Sequence, residues 1–172
     1  MFKLAGFLLL IFGCTGLGVG KVAEEKQRIR ELREISRIIV RIQNEMIYGK
    51  RTLPEIGIVL GTYAEEPYRS AFISLGEKWQ KSEETDLAGI WRNELEIHMH
   101  RLPLAEEEKE ILLYLPSQLG LMDETQQAAG IGQSLDMLSA HSRKAEAEYE
   151  NKARVIMSIS IMAGFFIGIL LL

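Results

Sequence analysis

His98 and His100 stand two residues apart, a spacing that on a β-strand would aim both imidazoles at one metal ion. Trp91, Leu95 and Met99 around them follow helical spacing, however. On a helix, positions i and i+2 point about 200° apart, so the pair cannot share a metal. Both read as surface histidines. His141 stands alone inside a long periodic stretch. Cys14 is the one cysteine, which excludes a disulfide framework and a cysteine-based zinc site. Gly-x-Gly occurs at Gly16/Gly18 and Gly130/Gly132, but neither precedes the Gly-Lys-Ser/Thr of a phosphate-binding loop. No Ser/His/Asp order suggests a nucleophile, and no carboxylate pair flanks a cleft. The expectation is a chain that is not an enzyme, with no catalytic residue, cofactor or metal.

Two charged clusters are candidates for binding rather than catalysis. Glu106, Glu107, Glu108 and Glu110 gather where a helix should start. Acids at a helix N-terminus complement its dipole and need no partner; the same patch could dock a basic surface. Lys50 and Arg51 sit in a tight turn far along the chain from both ends and could meet an acidic partner. Tyr48, Trp79 and Trp91 read as core aromatics. The formal net charge of −4 is a poor electrostatic match for nucleic acid.

The elements that must position these residues are set by a sharp segregation of charge. Residues 4–20 and 155–172 carry no charged side chain, and all 24 acids lie between them. As helices these runs span about 26 and 27 Å, close to a hydrocarbon core of roughly 30 Å. A transmembrane helix is expected at 1–20 and another at 155–172, with a helical domain over 21–154. Lys21, Lys26, Arg28, Arg30 and Arg33 follow the first run; Arg143, Lys144, Lys152 and Arg154 precede the second. The positive-inside rule puts the domain in the cytoplasm and both short ends outside. Ile11-Phe12-Gly13-Cys14 is a loose lipoprotein-type cleavage box, the alternative to a first span. Gly16 and Gly20 form a small-xxx-small pair suited to membrane helix packing.

The domain reads as helices throughout. Ile29, Leu32, Ile35, Ile39, Ile42 and Met46 recur at 3-or-4 spacing in a helix over 22–48, with Gly49 as its stop. Thr52 with Glu55 forms a capping box for a short helix to about Gly61. A third helix runs from near Pro67 to Lys81. Asp86 caps a fourth, reaching His100. A fifth covers 105–115, ended by Pro116 and Gly120. Asp123 caps the last, where Ala128, Ile131, Leu135, Leu138, Ser142, Ala145 and Tyr149 make a heptad stripe. The stripe is either satisfied within one bundle or zips protomers into a homo-oligomer. Gly130 and Gly132 admit a close helix neighbour, mark a bend or serve as a hinge. The expected fold is all-α: a six-helix bundle-like domain whose two long helices are continuous with the N- and C-terminal transmembrane helices.

Several of these residues, taken in order, resemble the stage III sporulation protein AB family of endospore-forming bacteria. They are the Gly-rich first span, the Arg-rich first helix, and Glu45-Met46-Ile47-Tyr48-Gly49 followed by Leu53-Pro54-Glu55. Leu119-Gly120-Leu121-Met122-Asp123 with Gln126-Gln127, then the long last helix and terminal span, complete the set. The match covers nearly the whole chain. A wider resemblance is to the cytoplasmic domain of the F-type platform proteins of type II secretion, although their Ser-Gly element is absent here and they carry two such domains.

The resemblance implies a scaffold in the channel complex between mother cell and forespore. It would sit in the outer forespore membrane with its domain on the mother-cell side. Its partners would be the sporulation secretion-type ATPase (stage III protein AA) and other membrane proteins of the complex. The alternative is a membrane-tethered helical signalling or relay module, against which almost nothing stands outside the membrane to sense a ligand.

Overall fold

The computed structural model describes residues 2–49, 51–81, 86–119 and 124–170. All its regular elements are helices: α1 (Phe2–Ile47), α2 (Leu53–Tyr63), α3 (Tyr68–Lys81), α4 (Leu87–Met99), α5 (Glu106–Leu113), α6 (Leu115–Leu119) and α7 (Glu124–Leu170). The fold is all-α. The contacts divide it into two compact units, one of Met1–Ile29 with Arg143–Leu172, the other Arg30–Ser142. Both α1 and α7 contribute to each unit.

In the second unit the core follows the periodicity of α1. Leu32, Ile35, Ile38, Ile39 and Ile42 are buried, as are Ile56, Leu60, Tyr68, Phe72, Leu75, Trp91, Leu95 and Met99 from α2, α3 and α4. The heptad stripe of α7 supplies Ile131 and Leu138 as buried residues of this unit, with Leu135 and Ser142 half-buried; further along the stripe, in the first unit, Ala145 is buried and Tyr149 half-buried. Trp91 lies at the aromatic centre, 5.4 Å from Phe72 and 6.1 Å from Trp79 between ring centroids. Its indole N–H donates to the Leu112 carbonyl at 2.9 Å, so this large side chain is buried without an unmet donor.

Close approach of α2 and α3 depends on glycine. A Cβ on Gly57 would lie 2.8 Å from the Trp79 ring, and one on Gly61 would lie 3.0 Å from Ile73. Gly49 acts in a similar way after α1. A Cβ there would meet the Glu45 carbonyl oxygen at 2.7 Å, and the Gly49 N–H donates back to Asn44 at 3.3 Å.

The structure departs from the sequence expectations in two places here. Pro116 does not end a helix. The fifth helix stops at Leu113, and Pro116 lies in the first turn of the extra short helix α6, where its missing N–H has no intrahelical partner to lose. Tyr48 is not core: it is 82% exposed, because it lies just past the end of α1. Trp79 and Trp91 are buried as expected.

In the first unit the two helices run side by side and antiparallel. Gly18 faces Ser160, and Gly164 faces Ile11 and Cys14. The pairing continues at Lys152, whose ammonium lies 3.7 Å from Glu25 and 3.2 Å from Glu148. Among the described residues one helix is long and apolar enough to cross a membrane, within Ala129–Leu170 of α7, and most of its apolar stretch is exposed.

Candidate functional site

The turn between α1 and α2 is built by local hydrogen bonds. Glu55 reaches back from α2 to accept the Thr52 N–H at 2.8 Å and the Thr52 hydroxyl at 2.9 Å. These bonds, the backbone one first, hold its carboxyl below the usual range. Arg51 pairs with Glu45 at 3.0 Å while its backbone N–H donates to the Glu45 carbonyl at 3.2 Å. The turn therefore presents a partly exposed guanidinium already tied to one carboxylate, next to the exposed Ile47 and Tyr48. Lys50 lies outside the described residues.

The acidic run of α5 separates into three kinds of residue. Glu108 is fully buried. It accepts the Ala105 N–H at 2.9 Å, capping the helix, and His141 Nδ1 of α7 lies 3.6 Å from its other oxygen. Glu110 takes a two-point contact from Arg92 at 2.8 and 3.2 Å, and that guanidinium also stacks on Tyr114. Glu106 pairs with Lys109 at 2.8 Å on the surface, and Glu107 is exposed. Helical carboxylates splay apart, so the run offers a partner Glu106 and Glu107 rather than four acids.

The histidines are satisfied locally. His98 Nδ1 lies 2.8 Å from the Glu94 carbonyl oxygen, and His100 Nδ1 lies 2.6 Å from that of Ile97. Among the described residues no three His, Cys, Asp or Glu side chains gather as a metal site.

In the paired apolar helices, Gly16 and Gly20 are exposed with nothing within 4 Å of a Cβ. The contact is made by Gly18, whose Cβ would overlap Ser160, and by Gly164, whose Cβ would lie 3.1 Å from the Ile11 Cα. The small-xxx-small spacing marks a face of the helix but not the one that meets α7. Gly132 likewise has open space around it, so it admits no close neighbour, and α7 runs through it unbroken.

Sequence reasoning missed a groove beside α1, about 710 Å³ in volume, that brings Arg37, Arg41 and Asn44 together with Tyr63 of α2. The signal for it was the second stripe on α1, Arg37, Val40, Arg41 and Asn44, at the same 3-and-4 spacing as the core stripe.

The family profile described as stage III sporulation protein AB matches residues 3–172. A relative from Bacillus subtilis (strain 168), stage III sporulation protein AB, is 23% identical over 172 residues, 100% of both chains. A solved structure of a stage III sporulation protein AB shares the fold with a TM-score of 0.64 at 22% identity, covering 72% of this chain and 96% of that one. A profile that runs through both apolar ends and every helix between them means that this chain belongs to the stage III sporulation protein AB family.

Proposed function

We propose that this chain is a non-enzymatic membrane scaffold in the sporulation channel complex between mother cell and forespore. On this reading it is anchored in the outer forespore membrane with its helical domain in the mother-cell cytoplasm. The domain couples the sporulation secretion-type ATPase, stage III protein AA, to the ring-forming membrane proteins. The observation that carries the reading is α7. One unbroken helix holds both the buried Ile131 and Leu138 of the helical domain and an apolar stretch long enough to cross a membrane. Packed helices shift as units, so a load applied to the domain side of such a helix is passed along it.

The docking residues proposed are Lys50 and Arg51 in the first turn and Glu106 and Glu107 on α5. Glu108 and Glu110 are engaged within the protein and shape the patch instead. The test is co-purification of the full chain, in detergent, with the ATPase. The double substitution Lys50→Glu and Arg51→Glu should cut the recovered ATPase about tenfold, the loss expected for removing charge-assisted contacts. Undiminished recovery from a variant of unchanged melting temperature would remove this turn from the interface.

A further inference from the structure

We propose that the groove around Arg41 receives a helix of a partner protein that presents one carboxylate among apolar side chains. Four observations meet there. Arg41 is the unpaired cation of the groove: Arg37, the other cation lining it, is held by Glu34 at 2.9 Å and Glu65 at 3.7 Å, whereas Arg41 has no carboxylate within ion-pair distance among the described residues. Its Nε is buried without a hydrogen-bond acceptor. Its guanidinium lies 3.8 Å over the Tyr63 ring, which fixes the plane of the fork. Around it the groove is mixed and open: Tyr63, 63% exposed, and Val40, 41% exposed, stand over a buried floor of Ile38, Leu60 and Ala64, with Glu34, Asn44 and Glu45 also lining it.

This is the reverse of a solvated surface arginine. A buried charged donor with no acceptor is unfavourable until one arrives. A carboxylate entering from the open side accepts from the terminal Nη groups, a charge-assisted pair, while the buried Nε and the Tyr63 ring hold the fork in place. Because Arg37, the other cation lining the groove, already faces Glu34 and Glu65, Arg41 is the one positive charge left for a partner. That matches a single carboxylate better than a doubly charged phosphate group.

The shape selects a helix. The α1 residues lining the groove run from Glu34 to Glu45, about 17 Å at 1.5 Å per residue. Arg37, Val40, Arg41 and Asn44 repeat every 3 or 4 residues, the ridge that a second helix packs against. The inference is independent of the turn at Arg51 and of which protein supplies the helix.

The test places the photo-crosslinker benzoylphenylalanine at Val40 of the full chain in sporulating cells and maps the crosslinked peptide. The expected peptide belongs to another protein and carries Asp or Glu within one helical turn of the crosslink. The crosslink should fall about tenfold with Arg41→Glu, the scale of losing a charge-assisted pair, and return when the mapped acid is changed to Arg. Arg41→Gln, which removes the charge and the guanidinium fork but keeps a polar side chain, serves where Arg41→Glu lowers the melting temperature. A peptide without an acid, a lipid adduct, a second copy of this chain, no crosslink from Val40, or an undiminished crosslink in either folded Arg41 variant would overturn the proposal.

Discussion

A carboxylate taken out of water must find its partners inside the protein, and Glu94 does so twice. Its side chain is almost fully buried on α4, where it accepts from the Ser74 hydroxyl at 2.5 Å and from the Lys78 ammonium. Burial pushes its carboxyl up, and these bonds pull it further down, so it titrates below its ordinary 4.5. A depressed carboxyl contributes stability that is present above the unfolded value and lost as pH falls through the folded one. The melting temperature of the full chain in detergent should therefore drop below about pH 4.5, and Glu94→Gln should flatten that acid limb while costing roughly 1–3 kcal/mol at neutral pH. An acid limb of equal steepness in the variant would show that Glu94 is not its source. Glu108 makes a companion case. Glu108→Ala removes the acceptor of the Ala105 N–H and leaves a cavity under α5, with an expected loss of about 1–3 kcal/mol in chemical denaturation. Glu107→Ala, on the exposed neighbour, should change stability by less than about 0.5 kcal/mol. The sequence alone did not separate these two glutamates. The residue three before Glu108 is Ala105 rather than Ser or Thr, so the usual cap signature is missing, and a run of four acids reads as a uniform patch.

Helices were the most legible feature of this chain because their start and stop signals are local. Thr52 with Glu55 and Asp86 with the Gly89 N–H act where the sequence puts them, and the stripe from Ile29 to Ile42 is buried along its length. What helical spacing cannot report is which neighbour a face meets. Gly57 and Gly132 are both glycines within helices, and only the first touches another helix. This contrast gives a paired prediction. Gly132→Ala should stabilise by up to about 1 kcal/mol, since alanine restricts the unfolded chain and has open space in the fold. Gly57→Ala has the same helical advantage, but its methyl would lie 2.8 Å from the buried Trp79 ring. A rigid indole packed against Trp91 cannot yield cheaply, so the net effect should be a loss of about 1–2 kcal/mol. Thermal unfolding of the two variants decides it: equal shifts would mean that α2 and α3 are not held at the distance described. The same blindness to neighbours explains Tyr48 and Pro116. An aromatic one residue past a helix end and a proline two residues into a new one look, in sequence, like core and terminator.

At the scale of the whole chain, the first and last helices run side by side through their apolar stretches, and glycine fixes how they meet. The Gly164 Cβ position lies 3.3 Å from the Cys14 Cβ, a few tenths of an ångström inside the roughly 3.5–4.5 Å that a disulfide spans. Gly164→Cys should therefore crosslink to the native Cys14 within one chain when membranes are treated with a permeant oxidant. Two thiols that react with a maleimide–polymer reagent before oxidation should both become unreactive. Cleavage of the chain between α3 and α4 should then leave its two halves joined until reductant is added. The control moves the first thiol. With Cys14→Ser, a Gly16→Cys and Gly164→Cys pair should stay free, because nothing lies within 4 Å of a Cβ at Gly16. Crosslinking at Gly16 instead of Cys14 would rotate α1 by about 200° and restore the small-xxx-small face as the contact. A dimer in place of an internal link would mean that these apolar helices pair between chains. Only the internal Cys14 link supports an anchor in which residues 11–18 and 157–164 of one chain lie against each other, so the outcome bears directly on whether a single copy can hold both of its apolar ends together.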